Sequence, residues 1–111
     1  MDNDLSSDVL RASAMLKALS DPVRLRILLL LEQRHCFVHE LGQALGIEQS
    51  ALSHQLAILR RHRLVKASRQ GKAKLYEPDD LHIYTLLRQI MEHAAEVEKQ
   101  EGFAKEEDST R

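Results

Sequence analysis

The sequence has little cysteine, no long apolar run and almost no net charge, and these shortages exclude several classes of protein. Cys36 is the only cysteine, so no disulfide can form within the chain, and a cytosolic location is the default expectation. The longest apolar stretch covers residues 27–31, which is too short to span a bilayer. No basic segment followed by an apolar one marks a secretion signal. The sequence therefore predicts a cytoplasmic protein without a membrane partner.

Catalytic motifs are also missing from the sequence. It contains no Gly-rich phosphate loop and no nucleophile motif, so we expect neither an enzyme nor a small organic substrate. Its 111 residues, 43% hydrophobic and 30% charged, suit one globular domain, and a chain this short often gains stability by dimerising. We expect a flexible N-terminus over residues 1–8, a folded domain over residues 9–99 and a polar, disordered tail over residues 100–111.

The distribution of charge is informative although the net charge is only −1. Residues 60–74 carry seven basic side chains and no acid, whereas acids predominate from Glu92 onward. A basic stretch on a nearly neutral protein suggests contact with nucleic acid, and the alternative is a solvated surface that happens to be basic. The basic residues are Arg60, Arg61, Arg63, Lys66, Arg69, Lys72 and Lys74.

Helical periodicity and capping residues predict a mainly α-helical fold with a small β-hairpin. Val9, Ala12 and Leu16 recur at helical spacing, and Asp21 followed by Pro22 can end one helix region and begin the next. The expected helices cover residues 9–19, 23–32, 39–44, 49–62 and 80–99, and a two-stranded hairpin with Gly71 near its middle covers residues 64–76.

The third and fourth helices, joined by a tight turn at Gly46, have the lengths of a helix-turn-helix. Leu52, Leu56 and Leu59 share the helical face that points to the core, so the opposite face is available to DNA. With the basic hairpin directly after it, the pattern predicts a winged helix; the alternative is an ordinary helical pair with a polar outer face. The expected DNA-binding residues are Gln49, Ser50, Ser53, His54 and Arg61 on the helix, which read bases, and Arg69, Lys72 and Lys74 on the hairpin, which neutralise phosphates.

Four segments together resemble the ArsR/SmtB family of metal-sensing repressors. They are ALSDPVRLRI at residues 18–27, SALSHQL at residues 50–56, LV at residues 64–65 and RQGK at residues 69–72. The resemblance covers roughly residues 9 to 98 and implies a winged helix-turn-helix homodimer built on the first and last helices. It also implies that the metal-free dimer binds operator DNA and that metal weakens this complex. In the family, the residues corresponding to Gln49, Ser50, Ser53 and His54 contact DNA.

The last predicted helix carries a candidate metal site formed by Asp80, His82, His93 and Glu96. His93 and Glu96 share one helix face, but His82 lies about 16 Å from His93 along the axis, so one chain cannot wrap one ion with all four groups. An antiparallel copy of the helix brings Asp80 and His82 of one chain to His93 and Glu96 of the other, which makes two equivalent sites. This donor set suits Zn(II) or Co(II), and its four positions match the family's last-helix site. The alternative is a set of exposed polar residues, with Asp80 favouring the helix dipole.

A second cluster, His35, Cys36 and His39, is a weaker metal candidate. A thiolate beside imidazoles can bind metal, but the family's thiolate sensors carry a Cys-x-Cys pair where this chain has Phe37 and His39. One cysteine also cannot form the disulfide of the family's redox sensors. We therefore interpret Cys36 as a small buried or loop residue.

The sequence thus predicts a repressor whose DNA affinity falls when metal binds at the dimer interface. If metal and DNA prefer different arrangements of the dimer, each must weaken the other by the same factor. Family resemblance adds a route, in which one ring nitrogen of His93 holds the metal and the other donates to the carbonyl of Arg63. The resemblance implies genes for metal efflux or sequestration as targets. The alternative is a constitutive winged-helix DNA-binding protein with a structural metal site or a different inducer.

Overall fold

The computed structural model describes the backbone of residues 2–108 and the side chains of residues 5–101. The fold is mostly helical with one small sheet, as the sequence predicts. Its elements in chain order are α1 (Asp2–Leu19), α2 (Pro22–Gln33), β1 (Cys36–Phe37), α3 (Val38–Leu45), α4 (Gln49–Arg61), β2 (Val65–Gln70), β3 (Ala73–Pro78) and α5 (Leu81–Asp108). The elements from α1 to β3 form one compact unit, and α5 forms a second.

Local sequence explains where the short helices begin and end. The side chain of Asp21 accepts a hydrogen bond from the backbone N–H of Arg24 at 3.0 Å, and Pro22 occupies the first turn of α2. The Glu40 carboxylate accepts from the Phe37 backbone N–H at 2.8 Å, one residue before α3. Gly46 ends α3 in the left-handed conformation, with φ of 66°. The first two contacts fix the starts of α2 and α3, and the conformation of Gly46 fixes the tight turn between α3 and α4.

The sheet has three strands in the order β1-β3-β2, and both pairings are antiparallel. Strands β2 and β3 form the predicted hairpin, with Gly71 at φ of 64° in its turn. Strand β1 was not predicted, because two residues carry no measurable periodicity. It pairs Cys36 with Tyr76 and Phe37 with Leu75, so it joins the hairpin to the start of α3.

The core of the first unit lies where α2 contacts α3, α4 and β3. Aliphatic side chains from five elements and the segment before β2 fill it, which fixes the helix-turn-helix on the sheet. Within the first unit, the residues exposed by no more than 1% are Ile27, Leu28, Leu31, Cys36, Leu41, Leu52, Leu56, Leu59, Leu64 and Val65.

Both terminal helices are longer than the sequence predicts. Helix α1 begins at Asp2, so residues 2–8, expected to be flexible, are helical; α5 continues to Asp108, so residues 100–108, expected to be disordered, are helical as well. Acidic residues favour a helix start, and Glu, Lys, Gln and Ala are good helix formers even without an apolar stripe. The remaining positions of the two terminal segments, residue 1 and residues 109–111, lie outside the described residues.

A membrane-spanning helix is absent from the described part of the chain. None of its helices combines the length and the apolar character needed to cross a bilayer.

Candidate functional site

Helix α4 presents an exposed polar face opposite its buried one. Leu52, Leu56 and Leu59 are buried in the core, which fixes the rotation of the helix about its axis. The side chains expected to read DNA, which are Gln49, Ser50, Ser53 and His54, are all exposed. The helix therefore holds these groups outward on a rigid base.

A cleft of about 400 Å³ lies between α4 and the hairpin. Gln49 and Ser53 line its helical wall, and three basic side chains of the hairpin line the opposite wall. No Asp or Glu is among its described lining residues, and the basic side chains make no ion pair within the described part of the chain. The lining residues are Val38, Gln49, Ser53, Ala57, Arg60, Arg69, Lys72, Ala73, Lys74 and Tyr76. The cleft thus joins positive charge to groups that can read base edges.

The structure places Arg60 in this cleft and Arg61 outside it. Arg61 lines a separate cleft of about 290 Å³ with residues of α1, among them Arg11 and Met15. The sequence analysis named Arg61 as a DNA-binding residue and did not name Arg60. The helical spacing of Gln49, Ser53 and Arg60, which puts all three on one face of α4, is a pattern that points to Arg60.

Two other residues of α4 that were predicted to contact DNA, Ser50 and His54, are exposed but do not line the cleft. Ser50 Oγ donates a hydrogen bond to Glu48 Oε1 at 2.8 Å. That bond orients the hydroxyl at the N-terminal end of α4, the end of a recognition helix that approaches bases.

The end of α4 has an unusual backbone conformation at Arg63. Its φ is 56°, so a non-glycine residue occupies the left-handed region. The Leu64 N–H donates to the carbonyl of Leu59, and the Arg63 N–H donates to that of Arg60, both at 3.0 Å. These are the two bonds of a Schellman motif, and they direct the chain from α4 into β2.

Two of the four predicted metal ligands face one another on α5. His93 Nδ1 lies 3.9 Å from Glu96 Oε2, and their side chains are 78% and 74% exposed. Asp80 immediately precedes α5, and His82 lies in its first turn. No group of three or more potential ligands occurs among the described residues of a single chain. The structure brings His93 and Glu96 together, and a four-ligand site needs further groups beyond this pair.

Helix α5 also exposes large apolar side chains on the face that carries the two histidines. Leu86, Ile90 and Val97 are 43%, 46% and 37% exposed, and their helical spacing puts them on the stripe of His82 and His93. Helix α1 exposes Leu5, Val9, Leu10 and Leu16. Contiguous apolar surface on a helix marks an interaction surface.

The cluster around Cys36 does not assemble a second metal site. Cys36 is buried, its Sγ donates to the Arg34 carbonyl at 3.6 Å, and burial raises the pKa of the thiol, opposed in part by the charge of Arg34. His35 Nδ1 lies 3.1 Å from Glu77 Oε2, and the ring of His39 stacks on Phe37. The three side chains thus have different partners, and the thiol stays protonated.

Comparison with known proteins identifies the family of the chain. A family model described as "Bacterial regulatory protein, arsR family" matches residues 21–67. The HTH-type transcriptional regulator NmtR of Mycobacterium tuberculosis is 39% identical over 84 residues, which are 76% of this chain and 70% of the relative. The chain belongs to the ArsR family. Another relative of this ArsR-family chain, the transcriptional repressor SmtB homolog of Synechocystis, is 42% identical over 79 residues, or 71% of this chain. The match spans 60% of that relative's length.

A solved structure supports the same fold for this ArsR-family protein. The solution structure of Mb0332 from Mycobacterium bovis, described as a homodimeric winged helix-turn-helix DNA-binding domain, superposes with a TM-score of 0.77 at 27% identity. The superposition covers 82% of this chain and 84% of that one. The predicted winged helix-turn-helix is confirmed, and the protein belongs to a family of transcriptional regulators and not to one of enzymes.

Proposed function

We propose that the protein is a homodimeric transcriptional repressor whose metal-free form binds operator DNA and whose DNA affinity falls when Zn(II), or Co(II), binds at the dimer interface. Metal binding then permits expression of genes for metal efflux or sequestration. The similarity to a transcriptional repressor SmtB homolog and to the transcriptional regulator NmtR supports the DNA-binding role. The His93–Glu96 pair on α5 is the observation that carries the metal-responsive part.

DNA binding follows from the cleft between α4 and the hairpin. The N-terminal half of α4 enters the major groove, and Gln49, Ser50, Ser53 and His54 reach base edges. Arg60 and the hairpin residues Arg69, Lys72 and Lys74 neutralise phosphates on either side of the groove. Contacts to phosphates fix the register of the dimer, and contacts to bases select the sequence.

Dimerisation uses the exposed apolar faces of α1 and α5. A face that includes Leu86, Ile90 and Val97 is too apolar to remain in water without cost. The description of Mb0332 as homodimeric supports this assignment. A two-fold dimer presents two recognition helices to one operator.

The donor atoms on α5 fit a tetrahedral metal site. Two ligand atoms at bonds of ~2.1 Å and a tetrahedral angle lie about 3.4 Å apart, and His93 Nδ1 and Glu96 Oε2 are 3.9 Å apart. A small side-chain rotation closes that difference. Asp80 and His82 of one protomer, with His93 and Glu96 of the partner subunit, complete a two-nitrogen, two-oxygen shell that suits Zn(II) or Co(II). Bound metal supplies a cross-link between protomers and no reaction chemistry.

The effect of metal on DNA binding, and of DNA on metal binding, is a property of the dimer. Metal favours the arrangement in which the two α5 helices are held together, and DNA favours the one in which the recognition helices match successive grooves. Each ligand therefore weakens the other by the same factor. As the family resemblance implies, we propose that in the metal-bound dimer the second ring nitrogen of His93 would donate to the Arg63 carbonyl, which would link the metal ligand to the recognition helix.

A mixed dimer tests the shared site. One chain carries Asp80→Ala and His82→Ala, and the other carries His93→Ala and Glu96→Ala. Neither homodimer retains a complete site, so both should bind zinc weakly. In the mixed dimer one site loses all four ligands and the other keeps all four, so we expect one tight zinc ion per dimer, counted by native mass spectrometry against two in the unaltered protein.

Two other results would contradict this arrangement. Two tight zinc ions in either variant homodimer would place the metal on other residues. A mixed dimer without any tight zinc ion would contradict a site that is shared between the two chains.

A further inference from the structure

The side chain of Arg24 joins three helices of the first unit. Its Nε donates to the Ala18 carbonyl at 2.6 Å, and its Nη2 donates to the Lys17 carbonyl at 3.3 Å. Its Nη1 donates to Gln55 Oε1 at 2.8 Å. A residue at the start of α2 therefore contacts both the last turn of α1 and the middle of α4.

The planar guanidinium suits this position. The last carbonyls of a helix have no partner within the helix and carry its negative dipole end, so a fixed cation there is favourable. Arginine offers five donors in a rigid fork, and two carbonyls and one amide oxygen use three of them in different directions. A lysine ammonium is a single point of charge on a flexible stem and cannot span the same acceptors.

Gln55 lies on the side of α4 that faces away from the cleft. It is half-buried and does not line the wall formed by Gln49, Ser53 and Arg60. Its bond to Arg24 therefore acts on the position of the recognition helix and not on DNA directly. Arg26, two residues after Arg24 and on another face of α2, donates instead to the carbonyl of Leu45 at the end of α3, at 3.3 Å.

We propose that Arg24 and Gln55 form a brace that sets the orientation of the recognition helix α4 relative to α1. Since α1 carries exposed apolar residues assigned to the dimer interface, the brace transmits the arrangement of the dimer to the DNA-reading face. Its consequence for DNA rests on the proposed function. Arg24 and Gln55 are positioning residues, because neither touches the cleft that receives DNA.

The test changes the acceptor on Gln55 and leaves the bonds from Arg24 to the carbonyls of Lys17 and Ala18 in place. Gln55→Met keeps the length of the side chain but removes the oxygen, and Gln55→Glu keeps an acceptor that can pair with Arg24. Gln33→Met makes the same chemical change at an exposed position near the end of α2 and serves as the control. Residual dipolar couplings of backbone amides report the α1–α4 angle in the full-length protein, and operator affinity is measured in chelator at fixed salt.

We expect Gln55→Met to change the α1–α4 angle and to weaken operator binding about tenfold, the loss of one charge-assisted hydrogen bond. Gln55→Glu should restore both, and Gln33→Met should change neither. An unchanged angle in Gln55→Met, or an equal loss of affinity in Gln55→Glu, would overturn the brace. Failure of the unaltered protein to bind operator DNA would instead contradict the proposed function, while the angle would still test the brace.

Discussion

Arg60 and Arg61 are adjacent in sequence, yet they line different clefts. Because successive residues on a helix differ by about 100° in direction, the two arginines point to different surroundings. Arg60 faces the hairpin across the cleft that we assign to DNA, and Arg61 faces residues of α1. We therefore expect Arg60 to contribute more to phosphate binding than Arg61.

We expect Arg60→Gln to reduce the salt dependence of operator binding. Each phosphate contact contributes a slope of about −0.9 to the plot of log affinity against log salt, so loss of one contact in each protomer should flatten the slope by about 1.8. The slope is measured by fluorescence anisotropy between low and moderate salt. Arg61→Gln is the matched control and should leave the slope nearly unchanged. An unchanged slope in Arg60→Gln would refute the assignment of Arg60, and an equal flattening in both variants would refute the difference between the two arginines.

Arg63 holds a backbone conformation that favours glycine. Its φ of 56° costs the folded state roughly 1–2 kcal/mol for a residue with a Cβ. Glycine avoids that strain, but it loses more conformational entropy on folding, which offsets about 0.5–1 kcal/mol of the gain. Arg63→Gly should therefore raise the free energy of unfolding by about 0.5–1 kcal/mol. Chemical denaturation at one fixed protein concentration measures it.

Arg61→Gly provides the contrast, because Arg61 is the last residue of α4 and has helical geometry. This variant should lower stability by up to about 1 kcal/mol. If Arg63→Gly lowers stability by as much, the side chain of Arg63 contributes contacts that outweigh the backbone strain.

Among the elements, α5 combines the metal pair with an exposed apolar stripe. Ile90 lies on that stripe and is 46% exposed, whereas the spacing of Ala95 places it on the opposite side of the helix. We expect Ile90→Glu to convert the dimer to monomers at micromolar concentration, because it buries a charge in an apolar interface. Ala95→Glu should leave the dimer intact in sedimentation velocity. A dimer that survives Ile90→Glu would assign the interface to another surface.

The elements also show how far sequence reasoning extends. Helices α2 to α4 and the hairpin were predicted, because Asp21, Pro22, Gly46 and Gly71 mark their ends and buried leucines give them a period. Strand β1 was missed because its two residues have no period. The ends of α1 and α5 were misjudged because they depend on helix propensity and not on an apolar pattern.

The candidate site was only partly accessible from the sequence. The exposed face of α4 followed from helical phase, and so did Arg61, which lies opposite the buried leucines. Arg60 was not predicted, because the hairpin that places a cleft beside Gln49, Ser53 and Arg60 is a tertiary feature. The metal site could be predicted only as shared between chains, because His82 and His93 are about 16 Å apart along one helix. Within the described part of one chain, His93 lies near Glu96 and no group of three or more potential ligands occurs, so the shared site stays a prediction.

At the scale of the whole molecule, we propose that metal and operator DNA favour different arrangements of one dimer. The coupling is reciprocal, so zinc should bind more weakly to the DNA complex by the factor by which zinc weakens DNA binding. His93→Gln should separate metal binding from its effect on DNA, because it removes the ring through which the resemblance implies a link from the metal to the Arg63 carbonyl. This variant should keep part of its zinc affinity and lose the response of DNA binding to zinc. Release of DNA by this variant at zinc saturation would refute that route.

The most direct test is the affinity of the purified protein for the DNA upstream of its own gene, measured at fixed salt with a chelator and with zinc. The account predicts tight binding in chelator that zinc weakens by about 5- to 150-fold, the usual range of coupling between two sites. Equal affinity in both conditions would contradict it. Asp80, His82, His93 and Glu96 would then form at most a structural site, and the protein would be a winged-helix DNA-binding protein with a different inducer or with none.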